Sequence, residues 1–371
     1  MGGMQDLLAV RLVCRHWFGP TPVVTTPLTG SGFSGAPVYL VVPGPFERGG
    51  GSIGPAAPPE RFVLKAFQRG WSRSRATAVH RLLERLRNAG IDQVPRPAGL
   101  AGAPGETIAA GADGRQWEML SFQPGEPVEA PTAGQSIAAL ETLARVHAAA
   151  AGIEGSFPAA PSADVPPAVA RRLEAIGRIR AEPWSRRGVD GEGTWQEALA
   201  ERRRAAARIL DRHGGDRPLA RLAARSIPRV PLRLVLRDVW RAHLLFDRGR
   251  LTGLIDFHAA GIDTPATDLA RLLGSWTSGQ PTWGRGGLTE VWRGSLEAYG
   301  AICPLSAAER GLIDFLHLGG VLGGLDHWFR TPIAPECDEV LAGKILNRVD
   351  ELLKNLDSAL EWADGGVGGA D

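Results

Sequence analysis

The 371-residue sequence is poor in cysteine, with only Cys14, Cys303 and Cys337. Three widely spaced cysteines match neither a disulfide framework nor a cysteine-based zinc site, and so few thiols suit a reducing cytoplasm. No run of eighteen or more uncharged apolar residues is present, which predicts no membrane span. The first residues carry an acid before their apolar run and no small-residue cleavage site, so we expect no signal peptide. These absences predict a cytoplasmic protein without a membrane partner.

A strong excess of one charge sign is also missing. The formal net charge is +2, whereas general polyanion-binding proteins usually carry a larger positive excess. We therefore expect no nucleic-acid partner. The apolar content of 44% predicts a packed core, and the length allows two lobes. The sequence carries no visible internal repeat and no signal for an oligomeric state.

Lysine is scarce as well, since only Lys65, Lys344 and Lys354 occur among 42 basic residues. Lys65 lies in the run Arg61–Phe67, RFVLKAF, which predicts a strand with Val63, Lys65 and Phe67 on one face. A lysine that faces inward needs an anion as partner. The alternative is a lysine on an edge strand that faces solvent.

The flanking segments predict a small sheet. Residues 1–25 indicate a short helix and a strand, and the glycine-rich turn Leu28–Gly35, LTGSGFSG, precedes an apolar strand over Ala36–Val42. Small residues in such a turn let backbone N–H groups approach a phosphate, although a plain hairpin turn explains the pattern equally well. Further on we expect a helix over Ser74–Ala89, a hairpin within residues 98–116 and a strand over Trp117–Phe122.

The most informative stretch runs from Val235 to Trp276. It predicts short strands at Arg233–Leu236 and Leu244–Phe246 around a polar loop, then a turn and a strand over Leu251–Ile255. Asp238 lies in the loop and Asp256 follows the last strand. Carboxylates held at strand ends suit metal-dependent phosphoryl transfer, in which one orients or deprotonates the attacking hydroxyl and the other holds a metal.

These motifs resemble the aminoglycoside phosphotransferase and choline kinase family, a branch of the protein-kinase-like fold. That family carries H-G-D-x-x-x-x-N, then I-D-[FW], then G-D-P-x-x-D-[LI]-A. Asp238 falls on the catalytic Asp, Ile255–Phe257 on the metal-binding motif and Pro265–Ala270 on the helix start. The sequence departs from the family at Leu236, Arg237 and His243, which replace His, Gly and Asn, and at Asp263–Pro265, which replaces Gly-Asp-Pro.

The resemblance implies an α+β, two-lobed protein-kinase-like fold, with a small antiparallel-sheet N-lobe and a larger, mainly helical C-lobe. We expect a nucleotide-binding lobe over residues 1–117, a hinge over 118–126, a helical catalytic and substrate lobe over 127–364 and a disordered tail over 365–371. The helix over Ser74–Ala89 should supply a glutamate partner for Lys65. Val79 and His80 stand near the expected position, and Glu84 lies one turn on.

The resemblance also implies roles for individual residues. Asp238 is expected to act as the base, and Arg241 to neutralise the transferred phosphate. Asp256 and His243 are the expected metal ligands, for Mg²⁺ or, as the alternative, Mn²⁺. The residues expected to bind ATP or GTP are Ser31, Gly32, Ser34, Gly35 and Lys65, together with Met119 and Ser121 at the hinge.

The expected activity is transfer of the γ-phosphate of ATP or GTP to a hydroxyl of a small molecule. His243 leaves three alternatives open: it binds the metal, it hydrogen-bonds Asp238, or it marks degraded chemistry. In the last case the chain is a pseudokinase that binds a nucleotide or a protein without turnover. A separate alternative is a nucleotide-free transition-metal site built from Asp238, His243, Asp256 and His258.

Overall fold

The computed structural model describes residues 2–28, 36–44, 60–151, 157, 162–186, 194–277, 285–331 and 339–365. The chain divides into two compact units. The first unit comprises Met1–Glu126 and two later segments, Leu245–Arg248 and Thr252–His258. The second unit comprises Pro127–Leu244, Gly249–Leu251 and Ala259–Asp371.

The first unit is built around an antiparallel sheet. Its elements before residue 122 are α1 (Gly2–Phe18), β1 (Val23–Pro27), β2 (Val38–Pro43), β3 (Phe62–Ala66), α2 (Arg73–Asn88), β4 (Ile108–Ala110) and β5 (Gln116–Ser121). The five strands are hydrogen-bonded in the order β1-β2-β3-β5-β4, and every neighbouring pair is antiparallel. Strand β3 is therefore an interior strand, which excludes the edge-strand alternative for Lys65.

Helix α1 packs its apolar stripe against this sheet. Val10, Val13, Cys14 and Trp17 recur at helical spacing and are buried, in a cluster with strand residues that include Tyr39, Val41, Phe62 and Leu64. The predicted short helix is in fact 17 residues long, and its buried stripe occupies about two turns of it, from Val10 to Trp17. Burial raises the pKa of the Cys14 thiol to about 12, which keeps it protonated and unreactive.

The predicted boundaries in this unit need small corrections. Helix α2 begins one residue before the predicted Ser74, because the Ser72 side chain accepts a hydrogen bond from the backbone N–H of Arg75 and caps the helix there. The hairpin expected within residues 98–116 is instead formed by β4 and β5. Gly114, at φ 75°, lies in its turn.

The later elements are the strands of two small sheets and the helices of the second unit. They are β6 (Glu126–Pro127), α3 (Ala133–Ala150), α4 (Pro167–Ala181), α5 (Thr194–Arg212), α6 (Asp216–Ala223), β7 (Arg233–Val235), β8 (Leu244–Asp247), β9 (Arg250–Leu254), β10 (Gly261–Asp263), α7 (Ala266–Ser275), α8 (Arg285–Ile302), α9 (Ala307–Arg310), α10 (Ile313–Arg330) and α11 (Glu339–Gly365). Strands β7 and β10 pair antiparallel, and a second small sheet has the order β6-β8-β9. Helix α11 includes Gly365, the first residue of the expected tail, and residues 366–371 lie outside the described chain.

Strands β8 and β9 are joined by a tight turn at the predicted place. Arg248 and Gly249 both have positive φ, at 48° and 80°, as the two central residues of a type I′ turn require. The turn sets the direction in which β9 leads to Asp256.

Helix α10 is the central helix of the second unit and packs against α4, α7 and α11. Glycines allow the close approach: a Cβ on Gly319 would lie 3.1 Å from the Cβ of Arg172, and one on Gly324 would lie 3.1 Å from Leu352 Cδ1. The sequence pattern predicts one helix near residues 305–330, and the structure has two helices there. The capping box of Ser306 and Glu309 starts α9, and the chain turns at Gly311 before α10.

Within the described part of the chain, no helix combines the length and the apolar composition that crossing a membrane requires.

Candidate active site

Lys65 contacts an acid and an imidazole from Thr252–His258, the segment of the first unit that comes last in sequence. Its Nζ lies 3.4 Å from each carboxylate oxygen of Asp256 and 2.9 Å from His258 Nδ1. The side chain is partly exposed, at 23%, because the neighbouring Leu64 and Ala66 point to the opposite, buried face of β3. The anionic group that Lys65 contacts is thus Asp256, in place of the glutamate expected from the helix over Ser74–Ala89.

Asp256 follows β9 in an uncommon backbone conformation. Its φ is +63°, in the left-handed region, which aspartate enters more readily than most residues. The preceding strand is fixed within the unit, since the N–H of Leu254 donates to the carbonyl of Gln93 at 2.7 Å. The carboxylate is 35% exposed, so it remains accessible to a ligand.

A buried carboxylate, Glu118, connects two histidines behind this pair. Glu118 is fully buried, and its Oε2 lies 2.7 Å from His80 Nε2 while its Oε1 lies 2.8 Å from His258 Nε2. His80 in turn contacts Thr107 Oγ1 through Nδ1 at 2.6 Å. His258 Nδ1 is 3.1 Å from Asp256 Oδ1. These groups form one continuous polar chain from α2 to Lys65.

Two groups of this chain, Glu118 and His258, have shifted pKa values. Burial alone would raise the pKa of Glu118, but the charge and hydrogen bonds of His258 and His80 keep that pKa well below its ordinary value. Burial alone would lower the pKa of His258. The charge of Glu118 and the hydrogen bonds to Asp256 and Glu118 outweigh burial and the repulsion from Lys65, and they raise the pKa of His258 to about 9.

The two predicted hinge residues lie in or at the end of β5. Met119 is fully buried, and its carbonyl accepts from the N–H of Ala98 at 2.8 Å. The N–H of Ser121 donates to the carbonyl oxygen of Arg96 at 2.8 Å. The hydroxyl of Ser121 accepts from the N–H of Arg96, also at 2.8 Å. Adenine recognition by Met119 and Ser121 stays a prediction. The predicted phosphate-loop residues Ser31, Gly32, Ser34 and Gly35 lie outside the described residues.

In the second unit, Asp268 fixes the loop that carries Asp238. Its Oδ2 accepts from the N–H of Leu236 and its Oδ1 from the N–H of Arg237, both at 2.7 Å. His147 contacts the same carboxylate at 3.0 Å and Tyr299 at 2.7 Å, all of them buried. Arg237 has φ +65°, the left-handed conformation that glycine adopts without cost.

Asp238 itself is half-exposed, at 39%, and its Oδ1 pairs with Arg271 Nη2. Arg271 lies three residues after Asp268 on α7, so one helical turn supplies both the carboxylate that fixes the loop and the cation beside the predicted base. The sequence prediction did not identify Arg271.

His243 uses both ring nitrogens within this loop. Its Nδ1 lies 2.7 Å from the carbonyl oxygen of Asp238, and Trp240 Nε1 donates to its Nε2 at 2.9 Å. Because a carbonyl only accepts, Nδ1 carries the proton and Nε2 is the acceptor. Metal coordination would require one of these bonds to break. This geometry favours the alternative in which His243 hydrogen-bonds the Asp238 residue, and the role of metal ligand stays a prediction.

Arg241 is held by groups of the second unit. Its backbone N–H donates to Ser275 Oγ at 2.8 Å, and its guanidinium contacts the Ser275 carbonyl at 3.0 Å and Glu351 Oε1 at 2.7 Å. Arg348 contacts the other oxygen of Glu351 at 2.8 Å. Arg241 thus already has an acidic partner, Glu351. Its role in neutralising the transferred phosphate stays a prediction.

The family model named "Phosphotransferase enzyme family" matches residues 46–315. The chain belongs to this family. The family prediction and the prediction of a kinase-like phosphotransferase are thereby confirmed.

The phosphotransferase also resembles individual proteins of known name. A homoserine kinase of Hyphomonas neptunium is 27% identical over 286 residues, which cover 73% of this chain and 76% of that protein. A spectinomycin phosphotransferase solved with ADP and spectinomycin has a TM-score of 0.61 at 11% identity, covering 97% of this chain and 98% of that one. An amicoumacin kinase solved with AMP-PNP and Ca²⁺ has a TM-score of 0.57 at 15% identity, covering 95% and 93%. The predicted α+β protein-kinase-like fold is confirmed.

The candidate site of this phosphotransferase includes groups that sequence reasoning missed, chiefly Glu118 and the contact of His258 with Lys65. An acid at the second position of the strand WEMLSF was the available signal, since a buried carboxylate needs charged partners. Among the described residues, no group of three or more His, Cys, Asp or Glu side chains is arranged to hold a metal. The alternative of a nucleotide-free transition-metal site stays a prediction.

Proposed function

We propose that this phosphotransferase moves the γ-phosphate of ATP, or of GTP, to a hydroxyl of a small molecule, with Asp238 as the base and Asp256 as the metal ligand. The observation that carries the proposal is the contact of Lys65 with Asp256, 191 positions apart in sequence, with 3.4 Å between Nζ and each oxygen. A cation for phosphate oxygens beside a carboxylate for a divalent metal is the pairing that nucleotide-dependent phosphoryl transfer uses.

The donor set at Asp256 fits Mg²⁺. Mg²⁺ is usually bound through one or two carboxylates, with phosphate oxygens and water as the remaining ligands, and the Asp256 carboxylate is partly exposed. When bound, the metal neutralises charge on the phosphates. His243 is a weaker candidate ligand, because both of its nitrogens are already engaged.

Asp238 is supported as the base by its exposure and by the way its loop is held. The carboxylate is half-exposed, and the two residues before it are bonded to the buried Asp268. A fixed carboxylate accepts the proton of an acceptor hydroxyl, or orients that hydroxyl, as it attacks. Arg271 beside Asp238 adds a positive charge for an anionic group of the acceptor or of the phosphate.

We further propose homoserine as the first acceptor to test. The homoserine kinase relative shares 27% identity over 73% of this chain. The local charges agree, since Arg271, Arg241 and Arg348 lie in this part of the second unit beside Asp238 and Glu351. An acceptor with a carboxylate suits such surroundings better than a polycationic aminoglycoside does.

The direct test is ADP release from ATP with Mg²⁺ in the presence of homoserine, choline, ethanolamine, a sugar and an aminoglycoside. We expect turnover with at least one of these hydroxyl compounds. We also expect Asp238→Asn to lower kcat by about 10² to 10⁴, the usual contribution of acid–base catalysis. Asp247→Asn, an equal change on the exposed β8–β9 turn, serves as the matched control. Full activity of Asp238→Asn would contradict the assigned base.

The pseudokinase is the second candidate, and the engaged state of His243 favours it. His243 occupies the position of a family metal ligand, yet it is bonded to Trp240 and to the backbone of Asp238. His243→Asn separates the two functions. Higher Mg²⁺-dependent turnover in the variant supports an enzyme, whereas nucleotide binding without turnover in both forms supports the pseudokinase.

A further inference from the structure

Lys65 has no acid from helix α2 among its described contacts. The positions near which a glutamate was expected hold Val79 and His80, and Glu84 is exposed. Lys65 instead contacts Asp256 and His258. Two groups that themselves face a nucleotide site need a rigid support, because side chains must be held to fractions of an ångström to act on a phosphate.

We propose that Glu118 on β5 is the positioning residue for Lys65 and Asp256, acting through His258, and that it takes the place of a helix glutamate. This inference rests on the proposed nucleotide-dependent function. Its first support is strand register: Glu118 lies directly opposite Lys65 in the β3–β5 ladder. Directly opposed residues project to the same face of a sheet, so Glu118 lies on the side of the sheet where Lys65 meets His258.

The second support is the geometry of His258, which bridges the two. Its Nε2 is 2.8 Å from Glu118, and its Nδ1 is 2.9 Å from Lys65 Nζ and 3.1 Å from Asp256 Oδ1. The imidazole packs edge-on against Phe67 and Trp71, with ring centroids 5.1 and 6.1 Å away, and these two rings stack on each other at 6.0 Å. Contact with both rings limits how far the imidazole can turn. A carboxylate at its far nitrogen therefore sets where its near nitrogen points.

The third support is the role of helix α2. His80, near the position expected for the glutamate, is buried and lies 2.7 Å from Glu118, and Thr107 holds its other nitrogen at 2.6 Å. Helix α2 thus reaches the lysine through His80, Glu118 and His258 rather than through one ion pair. Glu118 stands at the centre of this chain, with an imidazole on each oxygen.

The scarcity of lysine provides a test that needs no nucleotide. Brief acylation followed by peptide mass spectrometry measures the reactivity of Lys65 relative to the exposed Lys354 in the same molecule. We expect Glu118→Gln to raise this ratio several-fold, because His258 is then no longer held in place beside Lys65. His80→Gln, which keeps a donor toward Glu118, should raise it less than His80→Leu. Glu106→Gln is the matched control, since Glu106 forms an exposed pair with Arg73 in the same unit.

A second measurement compares the affinities for ATP with Mg²⁺ and for adenosine, which lacks phosphates. Loss of a charge-assisted contact predicts about tenfold weaker ATP binding in Glu118→Gln, with adenosine binding changed less than about twofold. A residue that only stabilises the fold would weaken both ligands together. His258→Gln should show the same selective loss, and it provides the test if Glu118→Gln does not fold.

Unchanged Lys65 labelling in Glu118→Gln and His258→Gln would overturn the proposal. Equal weakening of ATP and adenosine would overturn it too, because it would reduce Glu118 to a structural residue. Failure of the proposed function gives a different result: wild-type protein then shows no turnover or binds no ATP, while the labelling ratio still reports whether Glu118 holds Lys65.

Discussion

Asp268→Asn tests how the second unit holds the loop of Asp238. The carboxylate accepts from two backbone N–H groups at 2.7 Å, one on each oxygen, and contacts His147 at 3.0 Å. An asparagine keeps one acceptor oxygen, and its NH₂ group must face either the N–H of Leu236 or that of Arg237. One charge-assisted bond is then lost and a buried N–H is left unsatisfied. Each bond to a charged group contributes about 1.5–3 kcal/mol, so we expect the free energy of unfolding to fall by about 3 kcal/mol.

Thermal unfolding measures this loss. For a unit of this size, 1 kcal/mol corresponds to roughly 2–4 °C, so Tm should fall by roughly 6–12 °C. Asp357→Asn is the matched control, because Asp357 pairs with Arg212 and His213 at the surface. An exposed pair contributes at most about 1 kcal/mol. A Tm for Asp268→Asn equal to that of the control would refute the argument that the buried carboxylate fixes this loop.

Three further changes probe other parts of the second unit. Burial lowers the pKa of His317 from 6.5 to about 4. Below pH 6.5 the unfolded chain therefore binds a proton that the folded chain does not, and the free energy of unfolding should fall by about 3 kcal/mol between pH 6.5 and 4. His317→Leu should remove this fall in urea unfolding curves at several pH values, and an unchanged fall would contradict the assignment. Gly274→Ala places a Cβ against His317 Nδ1, well inside van der Waals contact. We therefore expect the free energy of unfolding to fall by about 1–3 kcal/mol. A Tm equal to that of the wild type would show that the imidazole moves aside freely. Trp240→Phe removes the indole donor to His243 Nε2. The free energy of unfolding should therefore fall by about 0.5–1.5 kcal/mol. If that nitrogen then becomes a metal ligand, turnover with Mn²⁺ should rise relative to Mg²⁺.

The sequence predicted the elements that have a strong local signal. The period of the apolar residues in α2 and the alternation in β3 placed both elements to within a residue or two of their observed ends. The extent of α1 was missed, because its stripe gains its meaning only from the sheet that it covers. The break between α9 and α10 was also missed. It depends on a capping box at Ser306 inside an otherwise helical pattern.

The residues of the candidate site that lie in local sequence motifs could be predicted. The contacts that depend on strand pairing across the sheet could not. Asp238, Asp256 and Lys65 each stand in a recognisable local context. The link of Glu118 to Lys65 depends on the register of β3 against β5, which no local pattern specifies. The tautomer of His243 depends on Trp240 and a carbonyl. Asp268, expected only as a helix-start residue, proves to be the acceptor that fixes the loop of Asp238.

The first unit is completed by two short segments that follow Pro127–Leu244 in sequence. During synthesis, β3 and β5 leave the ribosome long before Asp256 and His258 exist. At roughly 5–20 residues per second, the intervening stretch takes on the order of ten seconds. For that interval Lys65 lacks both of its observed partners, and Glu118 has His80 but not His258. The nascent N-terminal unit therefore waits for a late segment of the chain, and the ribosome must make a large part of the second unit before the first can be finished.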